Sequence, residues 1–226
     1  MKKILIVVTS HDQLGTTGKK TGYYLPEVTH PFFKLTDAGF TIDFVSPKGG
    51  KAPMDEKSRD LNDPENKKFL ENPVYMNKIE HTFRPDEIDF QKYSAIVYAG
   101  GHGTMWDFPD NHDLAHLAAQ IYEHGGVVAA VCHGPAALIN IKLANGKYLI
   151  DGKKVSSFTN AEEKEVGLTE VVPFLLESKL VARGAKFQPA ANWSNKVVVD
   201  ERLVTGQNPQ SAASLGEAVV KLLEKS

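Results

Sequence analysis

The chain of 226 residues is 42% hydrophobic and 24% charged with a formal net charge of −2, a balance that supports a full apolar core and leaves no basic excess to draw nucleic acid. No run of Lys and Arg is interleaved with aromatics, and no apolar stretch approaches the roughly 20 residues needed to cross a bilayer, so neither a polyanion nor a membrane is expected as a partner. A single cysteine cannot close an internal disulfide, which points to a reducing compartment, the cytoplasm, and the whole of 1–226 reads as one domain.

Residues 4–9 form a continuous apolar run of strand length. It is too short for the core of a secretion signal and is followed by polar His11-Asp12-Gln13. A polar, glycine-bearing loop over 12–22 leads to a first helix that starts near Pro26-Glu27, carries Val28, Phe32, Phe33 and Leu35 on its apolar face and stops at Gly39. Residues 40–45 are the second strand and complete a βαβ unit. From 51 to 89 the chain turns polar and is punctuated by Pro53, Pro64, Pro73 and Pro85, with a helical patch over 64–71 and little that resembles core; this segment reads as an insertion or cap. Residues 93–99 are the next buried strand and end in Gly100-Gly101-His102-Gly103, a backbone that can approach a ligand closely. A helix over 113–124 places Leu114, Leu117, Ala118 and Ile121 at helical spacing and closes at Gly125-Gly126. Beyond a strand at 127–131 the pattern predicts a helix over 136–143, a strand over 154–159, and a helix over 162–176 that Gly167 and Pro173 can interrupt. Short strands at 186–189, 197–199 and 203–206 precede a closing amphipathic helix over 211–225. Strands alternating with helices predict an α/β fold with a doubly wound, mostly parallel sheet of the flavodoxin-like sandwich type. Ligand sites in such sheets lie beyond the carboxyl ends of the strands.

The β-branched and small residues of 127–131 suit a central strand buried on both faces, and the chain changes character at its one cysteine. A strand that turns sharply into a helix is a nucleophile elbow, here Ala130-Val131-Cys132-His133-Gly134. A thiol at the first turn of a helix is predicted to ionise below the free value of about 8.5, because unpaired N–H groups and the helix dipole favour an anion. The bland alternative, an inert cysteine packed as a small hydrophobe, fits most lone cysteines but not one at a strand-to-helix turn.

Three segments together resemble the ThiJ/PfpI superfamily: the elbow Cys132-His133-Gly134-Pro135, the strand end Ala99-Gly100-Gly101-His102-Gly103-Thr104, and the late run from Leu203 through Thr205-Gly206-Gln207-Asn208-Pro209-Gln210 to Ser211. The chain length, the inserted segment and the Glu27 loop are most similar to the heat-shock-type subgroup with glutathione-independent glyoxalase III activity. The resemblance implies that Glu27 hydrogen-bonds and tunes the Cys132 thiolate, although a carboxylate at a helix start is commonly just a favourable charge. It also implies an acid that orients His133. The stretch Phe158-Thr159-Asn160-Ala161-Glu162-Glu163 offers two, of which Glu163 is preferred on spacing and Glu162 stays open.

His133 is the natural base because imidazole titrates near neutrality unperturbed, and the N–H groups of Gly101 and His133, on the Gly100-Gly101 turn and the elbow, form a candidate oxyanion hole. Trp106 and Trp193 read as core or rim. His112 and His116 stand at i, i+4 on a helix without a third ligand, so no metal site is expected there, and Gly100 to Gly103 lacks the spacing of a dinucleotide fingerprint. The first functional reading is therefore a cofactor-free and metal-free glyoxalase that turns methylglyoxal or another small dicarbonyl into a hydroxy acid. A redox-responsive holding chaperone in which Cys132 oxidises is a second reading. A cysteine peptidase or amidase, for which a remote His and Asp set is lacking, is a third. A homodimer is expected from the resemblance and from the commonness of two-fold assemblies.

Overall fold

The architecture is described from a computed structural model, which covers residues 3–225. In chain order the elements are β1 (Lys3–Val7), α1 (Leu25–Asp37), β2 (Thr41–Val45), α2 (Pro64–Leu70), α3 (Pro73–Glu80), β3 (Tyr93–Tyr98), α4 (Thr104–Asp107), α5 (His112–Glu123), β4 (Val127–Val131), β5 (Lys154–Val155), α6 (Asn160–Glu165), α7 (Leu176–Ala182), β6 (Lys186–Phe187), β7 (Val197–Asp200), β8 (Leu203–Gly206) and α8 (Ala212–Glu224). Six strands form one sheet in the order β2-β1-β3-β4-β8-β7, and β5 and β6 pair separately. Every neighbouring pair in the large sheet is parallel except β7 and β8.

The apolar runs explain the layering. Side chains alternate along a strand, so a run that is apolar at every position must be covered on both faces. Ile4, Ile6, Val97, Ala129 and Val131 pack with Val28 and Phe32 of α1 and Leu215 and Val219 of α8. Leu5, Val7, Ile96, Tyr98, Val128 and Ala130 pack with Leu114, Leu117 and Ile121 of α5 on the opposite face. Each fully buried Leu or Ile in these layers contributes about 1.5–3 kcal/mol relative to an exposed one.

Several predicted elements differ from those observed. The segment behind the elbow is a 3-10 helix, Gly134–Asn140, rather than an α-helix over 136–143. It is wedged against β3, where a Cβ on Gly134 would stand 2.4 Å from the Tyr98 carbonyl oxygen, and the narrower helix fits that gap. The strand expected over 154–159 is reduced to β5 outside the main sheet, because the chain then spends its N–H groups elsewhere: Ser156 donates to Thr205 Oγ1 at 2.8 Å and Phe158 to the Cys132 carbonyl at 2.8 Å. The helix expected over 162–176 is two pieces, α6 and α7, separated by Gly167 at φ +74° and by Pro173. β7 is antiparallel since only Glu201 and Arg202 link it to β8, too few for a crossover. Residues 51–89 contribute more core than their polarity suggests. Phe69 and Ile79 are buried against the sheet and α1, with Phe69 edge-on to Phe32 and Phe44.

Candidate active site

β4 delivers Cys132 to the carboxyl edge of the sheet, between β3 and β8. The Cys132 N–H donates to Gly206 O at 2.9 Å, and its carbonyl accepts the Phe158 N–H, so both neighbours hold the turn. Cys132 has φ +59°, a left-handed conformation that costs a non-glycine residue roughly 1–2 kcal/mol. The surrounding ladder over-determines it, and this is the strained turn that defines a nucleophile elbow.

Glu27 lies in the first turn of α1, yet it is fully buried instead of facing solvent. Its Oε2 accepts the Gly100 N–H at 2.8 Å. Only glycine fits at 100, where a Cβ would stand 2.4 Å from that oxygen and 2.7 Å from the Val131 carbonyl. Oε1 is buried without a regular hydrogen-bond partner, and the Cys132 thiol is the side chain coupled to this carboxyl. Burial pushes the Glu27 carboxyl up to about 8, with the thiol and the Gly100 N–H opposing only in part. At neutral pH Glu27 therefore keeps its proton, which it can direct at the sulfur.

Burial also pushes the Cys132 thiol up, and an ionised Glu27 would push it further. This corrects the expectation of a lowered thiol. The sulfur sits in a residue that is 4% exposed, and the short 3-10 segment behind it lacks the dipole of a full α-helix. The His133 N–H acts in the opposite direction and favours the anion. An ionised Glu27 therefore opposes the thiolate, and a protonated Glu27 does not.

The imidazole of His133 has Nδ1 at 3.4 Å from Cys132 Sγ and Nε2 at 2.7 Å from Glu163 Oε2. The other oxygen of Glu163, Oε1, lies 2.8 Å from Nε2 of His102. A carboxylate only accepts, so both imidazoles donate from Nε2 and carry their lone pair on Nδ1; in His133 that lone pair faces the thiol. Burial, and then the neighbouring His102, hold His133 below its ordinary value, which favours the neutral imidazole. Burial alone would raise Glu163, but the two imidazoles outweigh it and hold the carboxyl at about 2.

Glu162 does different work. Its Oε2 accepts the Thr159 N–H at 3.0 Å in a capping box, and its Oε1 accepts from Trp193 N–H at 2.9 Å, Gln207 Nε2 at 3.1 Å and Asn208 Nδ2 at 2.9 Å. Of the two neighbouring acids, Glu163 reaches His133 and Glu162 clamps the loop after β8. Among the described residues neither the Gly101 nor the His133 N–H donates to a protein oxygen, whereas the Gly100 N–H is taken by Glu27.

A cavity of about 360 Å³ opens over Cys132, lined by Tyr24, Gly101, His102, His133, Phe158 and Trp193, with Lys19 and Lys57 also in its wall. Phe158 packs on the His133 ring at 4.4 Å between centroids, and Trp193 meets Phe158 edge-on. Trp106 stacks on His11 instead. A cavity of about 470 Å³ beside α3 has neither a thiol nor an imidazole in its lining. Among the described residues one group of three metal-capable side chains is close together: His102, His133 and Glu163, with ligand atoms within 4.8 Å of one another. In this structure both imidazoles are hydrogen-bonded to Glu163 through Nε2. His112 and His116 do not join such a group. His102 sits inside the Gly100 to Gly103 motif, where nothing local in the sequence marks it as a site residue. Phe158 was visible only as the start of the acid-bearing stretch.

Over residues 20–222 the sequence matches the DJ-1/PfpI family. The chain belongs to this family. The glutathione-independent glyoxalase HSP31 of Saccharomyces cerevisiae is 37% identical to this chain over 224 residues, 94% of each chain. The crystal structure of glyoxalase III from Candida albicans shares 32% identity and superposes with a TM-score of 0.91 over 98% of this chain and 97% of that one. The X-ray structure of the 24 kDa rapid encystment protein of Francisella tularensis shares 45% identity, with a TM-score of 0.95 over 99% of both chains. These matches cover nearly the whole chain, residues 51–89 included.

Proposed function

We propose that this DJ-1/PfpI protein is a glutathione-independent glyoxalase that converts methylglyoxal to lactate through a covalent adduct on Cys132. The observation that carries the reading is the unbroken path from Cys132 Sγ through His133 to Glu163 beneath an open cavity, with the buried acid Glu27 coupled to the same sulfur. The names of the yeast and Candida relatives support it.

In this reading His133 Nδ1 takes the thiol proton, and the sulfur adds to the aldehyde carbon of methylglyoxal. The N–H groups of Gly101 and His133 carry the oxyanion, which is then protonated to a hemithioacetal. His133 next removes the proton from that carbon, the electrons move through an enediol, and the proton returns to the adjacent carbon. The aldehyde carbon has become a thioester and the ketone an alcohol. Water then cleaves the C–S bond, and lactic acid leaves. Methylglyoxal plus water equals lactic acid, so the oxidation of one carbon is matched by the reduction of its neighbour and no external oxidant, reductant or glutathione enters. Glu27 keeps the sulfur's environment neutral, and Glu163 fixes the His133 tautomer and stabilises its imidazolium.

The remaining assignments in this proposal are a cytoplasmic homodimer with no nucleic-acid or membrane partner. No helix among the described residues is long and apolar enough to cross a membrane. Light scattering at micromolar concentration tests the dimer. For the activity, methylglyoxal is incubated with purified protein without glutathione and the product is identified by mass spectrometry. Lactate supports the proposal. Unchanged methylglyoxal, with protection of an unfolded client from aggregation, supports the chaperone reading in its place.

A further inference from the structure

The reaction proposed above contains two proton tasks with opposite demands. Transfer between the substrate carbons is best shielded from water, since the proton must return to the neighbouring carbon. Cleavage of the thioester needs a water molecule and a base that can reach it. Two imidazoles stand at the site, and they differ in the property that matters: the side chain of His133 is 1% exposed and that of His102 is 17% exposed. Their rings are 4.1 Å apart between centroids, and both line the cavity over Cys132.

One carboxylate serves both. Glu163 Oε1 accepts from His102 and Oε2 from His133, so the same group fixes two tautomers at once. For His133 this directs Nδ1 at the sulfur, at 3.4 Å. For His102 it leaves Nδ1 as the lone-pair nitrogen, and among the described residues no protein group bonds it. A buried Glu–His bond without such a purpose is common, but here the second imidazole is the wetter of the two and adjoins the nucleophile's cavity.

Resting on that reading of the site, we infer that His102 is a second acid–base residue, dedicated to hydrolysis of the Cys132 thioester, while His133 serves the carbon-to-carbon transfer. In the hydrolytic step water adds through oxygen to the thioester carbon as Nδ1 of His102 takes one of its protons. The tetrahedral intermediate collapses, the C–S bond breaks, and the electron pair goes to sulfur, which takes up the proton now on His102. The new carboxylic acid loses its own proton to solvent. The imidazolium formed on the way is stabilised by Glu163, as the imidazolium of His133 is in the earlier step.

The test is a comparison of the wild type with His102→Gln and His102→Ala, following loss of methylglyoxal in the first turnover and lactate formation at steady state. His102→Gln is expected to slow the first-turnover loss far less than steady-state lactate formation, which falls roughly 10²- to 10⁴-fold. Hydroxylamine, a nucleophile that needs no base, should release lactohydroxamate from the stalled variant, and added imidazole should restore lactate formation by His102→Ala. Neither readout would respond to a merely structural role. First-turnover loss that slows as much as the steady state, or a His102→Gln variant as active as the wild type, would overturn the division of labour. Wild-type protein that yields neither lactate nor hydroxamate would instead overturn the glyoxalase reading beneath it, and this inference with it.

Discussion

Replacement of Glu27 by Gln isolates a single buried proton. In the unfolded chain this carboxyl titrates at its ordinary 4.5, and in the folded protein burial moves it up to about 8. The folded state thus holds the proton more tightly, so the stabilisation is complete below about pH 4.5 and is lost as the pH rises through 8. At about 1.4 kcal/mol per pH unit the interval is worth on the order of 5 kcal/mol in full, and roughly 3 kcal/mol has gone by pH 7. Glu27→Gln keeps a carbonyl oxygen for the Gly100 N–H and has no proton to lose. Urea unfolding of both proteins from about pH 5 to 8 should therefore show the wild type losing roughly 3–4 kcal/mol relative to the variant. At about 2–4 °C per kcal/mol for a chain of this size, the melting temperatures shift relative to each other by on the order of 10 °C. Stability curves that run parallel over this range would mean that Glu27 is ionised in the folded protein, and the assignment of a neutral acid beside Cys132 would be wrong.

Gly100→Ala should cost both stability and activity, because its Cβ would meet Glu27 Oε2 at 2.4 Å and the Val131 carbonyl at 2.7 Å; a melting curve unchanged from wild type would contradict that packing. Glu163→Gln should lower lactate formation roughly 10²- to 10⁴-fold with little loss of fold at neutral pH. The stabilisation from the wild-type carboxylate, fully present above about 4.5 and lost as the pH falls toward about 2, should vanish from the acid limb of its unfolding curve. Glu162→Gln should do the reverse, removing about 1–3 kcal/mol of stability through the loop held by Trp193, Gln207 and Asn208 while sparing the rate per folded molecule. Iodoacetamide alkylation of wild-type Cys132 should rise with a midpoint above the free-thiol value of about 8.5, and a midpoint near 6 would show that the elbow stabilises the thiolate more than burial opposes it.

Much of the sheet could be read directly because its central strands carry continuous apolar runs. The runs around Ile4 and Val127 admit few structures other than central parallel strands. The position of Cys132 at the sheet edge could be read for the same reason, since an abrupt end to such a run fixes where that edge lies. What escaped the sequence depends on partners distant along the chain. The choice between Glu162 and Glu163 is made by which side chains face α6: Thr159, Gln207 and Asn208 capture the first, and His102 and His133 the second. Adjacent residues of equal propensity carry no sign of that. The thiol's raised pKa follows from the depth of burial, which a local helix-dipole argument does not contain. Residues 156–158 resemble a strand by composition, but their backbone bonds go to Thr205 and Cys132. The buried positions of Phe69 and Ile79 were hidden in a segment whose average composition is polar.

Covalent chemistry at Cys132 is the claim on which the rest depends, and the most direct measurement is lactate formed from methylglyoxal, without glutathione or added metal, by wild-type protein, Cys132→Ala and His133→Ala under identical conditions. The account predicts lactate from the wild type, none from Cys132→Ala, and from His133→Ala a rate lower by roughly 10²- to 10⁴-fold although its thiol still alkylates. Lactate made by Cys132→Ala at the wild-type rate would contradict it.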